Sequence, residues 1–206
     1  MIILKSLKRL LSIVLTIAIL SASFVSVSAD NDYSYSGYWA EEALYEAVEN
    51  GILRGKETGG LDPTGLLTRA EMAAIIVRAF GATFESNISA YSDLIPGAWY
   101  YSEFAKAIHM GVFTGAGNGL MLPTNNITRE EAFTVLARAM VYTDGNTSSL
   151  SKFKDSASIS QWATTYVAAL SSRGYVNGDD LGNFNPKSYI TRAEFAKIIA
   201  CFKNAS

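Results

Sequence analysis

Three tryptophans, Trp39, Trp99 and Trp162, each head the same pattern, and this threefold repetition constrains the fold more than any other feature of the chain. Counting forward from each, glycine recurs at +12 (Gly51, Gly111, Gly174) and at +16 (Gly55, Gly115, Gly178), and proline at +24 (Pro63, Pro123, Pro186). At +29 begins a four-residue word: Thr68-Arg69-Ala70-Glu71, Thr128-Arg129-Glu130-Glu131 and Thr191-Arg192-Ala193-Glu194. The origins lie 60 and 63 residues apart, and the extra residues fall in the polar, turn-rich stretch 143–149, which reads as a linker. Residues 30–84, 85–146 and 147–206 are therefore three copies of one unit.

Each copy predicts two helices. After Trp39, apolar residues at Ala43, Leu44, Ala47 and Val48 form one helical face. Gly51 followed by Ile52 is the sequence of a left-handed C-cap with its trailing hydrophobic contact, and Gly111-Val112 and Gly174-Tyr175 repeat it. The second helix carries Met72, Ile75, Ile76 and Ala79, matched by Phe133, Leu136 and Met140 and by Phe195, Ile198, Ile199 and Phe202. Short leads such as Tyr91-Ser92-Asp93 and Phe153-Lys154-Asp155 are expected to be irregular or strand-like. One such unit buries too little surface to stand alone. The expected fold is mainly α, three tandem two-helix repeats packed with pseudo-threefold character, with an open superhelical stack as the alternative.

The repeated word is first of all a helix start. Threonine at the N-cap and glutamate at N3 make a capping box, so Thr68, Glu71, Thr128, Glu131, Thr191 and Glu194 are expected as structural caps. Leu67, Ile127 and Ile190 precede it, with Met72, Ala132 and Phe195 at N4, as a hydrophobic staple. The arginines are left over, since a cation at N1 opposes the helix dipole. Either each pairs with a nearby acid, or it joins free helix-terminal N–H groups in an anion site. The tryptophans read chiefly as core anchors at helix starts, and otherwise as aromatic faces for a sugar ring. The +16 glycines are expected to provide a turn with positive φ.

The first 29 residues differ from the rest. Lys5, Lys8 and Arg9 precede an apolar run from Leu10 to Leu20 and a small-residue exit Val27-Ser28-Ala29, the make-up of a signal peptide cleaved before Asp30. The apolar core is shorter than a membrane span requires, so no integral membrane segment is expected after cleavage. Cleavage would leave 177 residues with 14 basic and 19 acidic side chains, an acidic protein unsuited to nucleic acid. A lone histidine, His109, and a lone cysteine, Cys201, exclude a His-based zinc site and an intramolecular disulfide, and no metal or cofactor is expected.

The order Trp, helix, Gly, loop, Pro, Ile/Leu-Thr-Arg-Ala-Glu, three times behind a signal peptide, resembles the S-layer homology domain of bacterial surface proteins. The resemblance covers about residues 30–203. It implies a three-sided prism that binds an acidic secondary cell-wall polysaccharide, often bearing pyruvate ketals, in grooves between modules. It assigns the anionic ligand to Arg69, Arg129 and Arg192, and the groove walls to Trp39, Trp99, Trp162, Gly55, Gly115 and Gly178. The implied role is non-enzymatic anchoring of a secreted protein in the bacterial cell wall or surface layer. The alternatives are self-assembly with other surface-layer proteins and, less favoured, hydrolysis of wall glycan. The family's opening Phe-x-Asp is kept as Phe153-Lys154-Asp155, approximated by Tyr91-Ser92-Asp93, and reduced in the first copy to Asp32. Glu130 beside Arg129 is an extra acid expected to weaken that groove. Such modules usually carry cargo, so a chain ending at Ser206 reads as a truncated product, a stand-alone wall binder or one member of a pair.

Overall fold

The structure, a computed structural model, describes residues 35–57 and 59–203. The expected signal peptide, its cleavage site and Asp32 lie outside them. Six α-helices follow in chain order: α1 (Glu41–Glu49), α2 (Arg69–Phe80), α3 (Tyr101–His109), α4 (Arg129–Ala139), α5 (Gln161–Ser172) and α6 (Arg192–Lys203). Two short 3-10 turns, Thr147–Lys152 and Ser156–Ser158, precede α5. The fold is mainly α, with two helices per repeat as the periodicity predicts.

The helix boundaries follow from the repeated residues. The first helices of the three repeats end at Gly51, Gly111 and Gly174, with φ of 67°, 74° and 80°. In each, the next amide reaches back past the cap: Ile52 N to Ala47 O, Val112 N to Ala107 O and Tyr175 N to Leu170 O. That pattern satisfies carbonyls the helix end would otherwise leave open. At the second helices, the capping boxes form in all three copies: Thr68 and Glu71, Thr128 and Glu131, Thr191 and Glu194 exchange the expected bonds. The staple residues Leu67, Ile127 and Ile190 are fully buried against Met72, Ala132 and Phe195.

The two helices of one repeat do not form the main packing pair. Instead α3 packs on α2, α5 on α4, and α1 on α6, so the first helix of each repeat lies on the second helix of the preceding one. The α1–α6 contact closes the series into a ring, which excludes the open stack. The ring is tied at its centre by three backbone hydrogen bonds: Leu67 N to Ile190 O (2.9 Å), Ile127 N to Leu67 O (2.9 Å) and Ile190 N to Ile127 O (3.2 Å). The leads are turns rather than strands, and among the described residues sheet pairing is limited to isolated bridges such as Leu66 with Thr191 and Thr128 with Tyr189. The core is filled by Leu44, Phe104, Val167, Met72, Ile76, Leu136, Phe184 and Phe195, each contributing about 1.5–3 kcal/mol on burial.

Candidate functional site

The arginines of the repeated word stand at the joins of this ring. Arg69 Nη1 bonds Glu131 at 2.8 Å, Arg129 Nη1 bonds Glu194 at 2.9 Å, and Arg192 Nη1 bonds Glu71 at 2.9 Å. Each Nε also donates to a carbonyl of the repeat it reaches: Met121, Phe184 and Leu61 respectively. So the glutamate that caps one helix also receives the arginine of the preceding repeat. The guanidinium side chains are 8%, 14% and 3% exposed. Burial lowers the pKa of Arg69 and Arg129, with Glu131 and Glu194 opposing that shift.

The helix N-termini themselves are not open to an anion. The N1 amides of Arg69, Arg129 and Arg192 donate to Asn125, Ser188 and Gly65. The N2 amides of Ala70, Glu130 and Ala193 donate to the carbonyls of Pro123, Pro186 and Pro63, and the N3 amides are held by the cap threonines. The expectation of free N–H groups converging with the guanidinium is therefore corrected. What the arginines present is a guanidinium edge: Nη2 of Arg69 and of Arg129 makes no hydrogen bond among the described residues, while Nη2 of Arg192 donates to Arg54 O.

Three grooves run along the joins, with cavity volumes of about 540, 400 and 350 Å³. Groove I takes the Gly55 loop and Glu71 from repeat one, Arg192 from repeat three and Trp99 from repeat two. Groove II takes the Gly115 loop, Glu131, Arg69 and Trp162, and groove III the Gly178 loop, Glu194, Arg129 and Trp39. Every groove thus collects one predicted glycine, one arginine and one tryptophan, each from a different repeat. The tryptophans are 57%, 56% and 51% exposed and are not core anchors. Of the loop glycines, Gly115 has the expected positive φ of 78°. Gly178 does not, and glycine is required there because a Cβ would lie 2.8 Å from Asn183 O.

The sequence pattern of the S-layer homology domain matches residues 31–73, 90–133 and 152–196, together more than half of the chain. The chain belongs to the S-layer homology family. It is 29% identical to a surface-layer 125 kDa protein of Lysinibacillus sphaericus across 90% of its own length and 16% of that protein. It is 33% identical to the exoglucanase XynX of Acetivibrio thermocellus across 78% of the chain and 15% of the relative. A cellulosome-anchoring protein of Acetivibrio thermocellus is 29% identical across 72% of the chain and 34% of its own length. The chain spans about a sixth of the first two relatives and a third of the last.

Two features of these S-layer homology repeats were not legible in the motifs. Glu130 does not face a groove: it is buried, accepts from Ser160 N and Oγ at 2.9 Å each, and pairs with Lys187, so it caps α5 of the next repeat. The expected weakening of a groove by Glu130 is overturned. The aspartates of the opening motif clamp the residues before the prolines. Asp93 accepts from Met121 N and Leu122 N, and Asp155 from Phe184 N and Asn185 N. Leu122 and Asn185 are held there in left-handed conformations, with φ of 54° and 58°. A local signal for this existed in the invariable spacing from aspartate to proline, but the partner amides had no distinctive side chain to mark them.

Proposed function

We propose that the chain anchors a secreted bacterial surface protein non-covalently to an acidic, pyruvylated secondary cell-wall polysaccharide. The observation that carries the reading is the composition of the grooves, in each of which a half-exposed indole stands with a guanidinium edge and a loop glycine. An indole face stacks on the apolar face of a sugar, a guanidinium receives a carboxylate, and the glycine lets the chain approach closely. The anchoring role named for the cellulosome relative points the same way. Among the described residues no helix is long and apolar enough to cross a membrane, so the wall polymer is the attachment assigned here.

Hydrolysis is disfavoured by the state of the acids repeated in register. A glycosidase general acid needs a raised pKa. Burial pushes the Glu71 carboxyl up, but Lys56, Thr68 and Arg192 more than offset this and hold it below the usual range. The test is co-sedimentation with purified wall sacculi before and after chemical removal of the non-peptidoglycan polymer. Binding lost with the polymer supports the assignment, and binding that persists on stripped sacculi refutes it. A surface lattice formed in the absence of wall material would instead support self-assembly as the main role.

A further inference from the structure

The three grooves share a plan but not a charge. Groove I is lined by Arg54, Lys56, Arg78 and Arg192 against Glu57 and Glu71. Groove II has Arg69 and Arg138 against Glu131, and groove III has Arg129 and Lys197 against Asp179 and Glu194. Cations thus exceed carboxylates by two, one and none. Each groove also has one carboxylate behind its wall, Glu103 near Arg78, Asp93 near Arg69 and Asp155 near Arg129, which lowers every groove equally and keeps the order.

The differences lie at equivalent positions. At +17 from the tryptophan stand Lys56, Ala116 and Asp179, and at +39 stand Arg78, Arg138 and Cys201. Groove III therefore has a carboxylate where groove I has an ammonium, and a thiol where groove I has a guanidinium. Asp179 is held in place by Leu181 N, Asn183 N and the Asn185 amide. Those bonds, led by Asn183 N, keep its pKa at about 2, so it is charged at any neutral pH. In groove I, Arg192 is already spent, with Nε, Nη1 and Nη2 all bonded within the protein. Arg54 is exposed and its side chain has no partner among the described residues. Arg78 makes one long bond of 3.4 Å to Ile52 O and feels Arg54 and Arg192 as like charges. A cluster of like charges facing solvent is stabilised by an anion placed among them.

We infer that groove I is the principal site for a carboxylate-bearing saccharide, received by Arg54, Lys56 and Arg78 rather than by Arg192, and that groove III excludes it through Asp179. This rests on the anchoring function proposed above and narrows it to one of three places.

The chain's three tryptophans report one groove each. The experiment is an NMR titration of the protein's indole N–H signals, assigned with single Trp→Phe variants. The probe is a methyl hexopyranoside bearing a 4,6-linked pyruvate ketal, with the same glycoside lacking the ketal as control. The Trp99 signal is expected to move at the lowest concentration and the Trp39 signal to stay still. Replacing Arg54→Gln and Lys56→Gln together should weaken the Trp99 response about tenfold or more, the scale of one lost charged contact, with the melting temperature as a control on folding. Asp179→Asn with Cys201→Arg should bring a Trp39 response into being. A Trp39 response in the wild-type protein equal to that of Trp99, or a double Gln variant that binds as well as wild type, overturns the inference and leaves anchoring standing. A wild-type protein that does not distinguish the ketal glycoside from its control overturns the acidic ligand and this inference together.

Discussion

Replacing Arg192 by alanine tests whether the arginines of the repeated word hold the ring together. The substitution removes three hydrogen bonds, to Leu61 O at 2.6 Å, to Glu71 at 2.9 Å and to Arg54 O at 2.6 Å. The Arg192 side chain is 3% exposed and that of Glu71 15%. Breaking a buried pair from one side costs about 3–5 kcal/mol, because the partner stays buried and uncompensated. Here Glu71 keeps Lys56 at 2.6 Å and its own cap threonine, which places the loss near the lower end, about 3 kcal/mol. Arg129→Ala should cost less, about 1–2 kcal/mol, since its partner Glu194 is 35% exposed and water screens the pair. Arg69, at 8% against 31% for Glu131, should fall between them. Equilibrium urea unfolding of the three single variants measures this directly, and a domain with about 5–15 kcal/mol of total stability makes the largest effect easy to read. If Arg192→Ala stayed within about 0.5 kcal/mol of wild type, the size of an ordinary surface change, or if Arg129→Ala were the worst of the three, the clamp would be refuted. Loss of wall binding in any of these variants is informative only beside its measured stability.

Thr68→Ala, Thr128→Ala and Thr191→Ala should each lower stability by about 1 kcal/mol through the lost N-cap, and unchanged thermal melts in all three would remove the cap assignment. Val141 is a β-branched residue with φ of 57° and 79% exposure, where the equivalent position in repeat one is Gly81 at φ 66°; Val141→Gly should raise stability by about 1 kcal/mol in urea, and a loss would contradict the strain. Because the Glu71 pKa is depressed in the folded state, its contribution is complete above the ordinary glutamate range and disappears as pH falls through the lower folded value. Glu71→Gln should accordingly flatten the acid limb of the stability profile below about pH 4, and an unchanged limb would place the acid sensitivity elsewhere.

What a single copy of the repeat contains was readable in advance, and what one copy does to another was not. Thr68 and Glu71 are three residues apart, so their capping box follows from spacing, as do the glycine caps at Gly51, Gly111 and Gly174. Arg69 and Glu131 are 62 residues apart, and nothing in the word indicates that its first charged residue pairs with the last one of the next copy. The same holds for Glu130, which looked like a rival to Arg129 by adjacency but turns to Ser160 on the far side of its helix. The tryptophans were misjudged for a different reason. A large aromatic at a helix start usually indicates burial, and here the repeated alanines beneath them, Ala43 and Ala163 among these, complete the core without them. The groove residues were legible as a set because they recur in register, while their grouping into sites required the cyclic order of the helices.

Because a groove draws its loop, its arginine and its indole from three different repeats, the number of sites does not scale with the number of copies. Deleting one repeat would take the loop from one groove, the arginine from a second and the indole from the third, so that two copies retain no complete site. Duplication could build this receptor only in a single step to three, and afterwards its valency could be reduced only by point changes within a groove. Asp179 and Cys201, set against Lys56 and Arg78, have the form such a change would take.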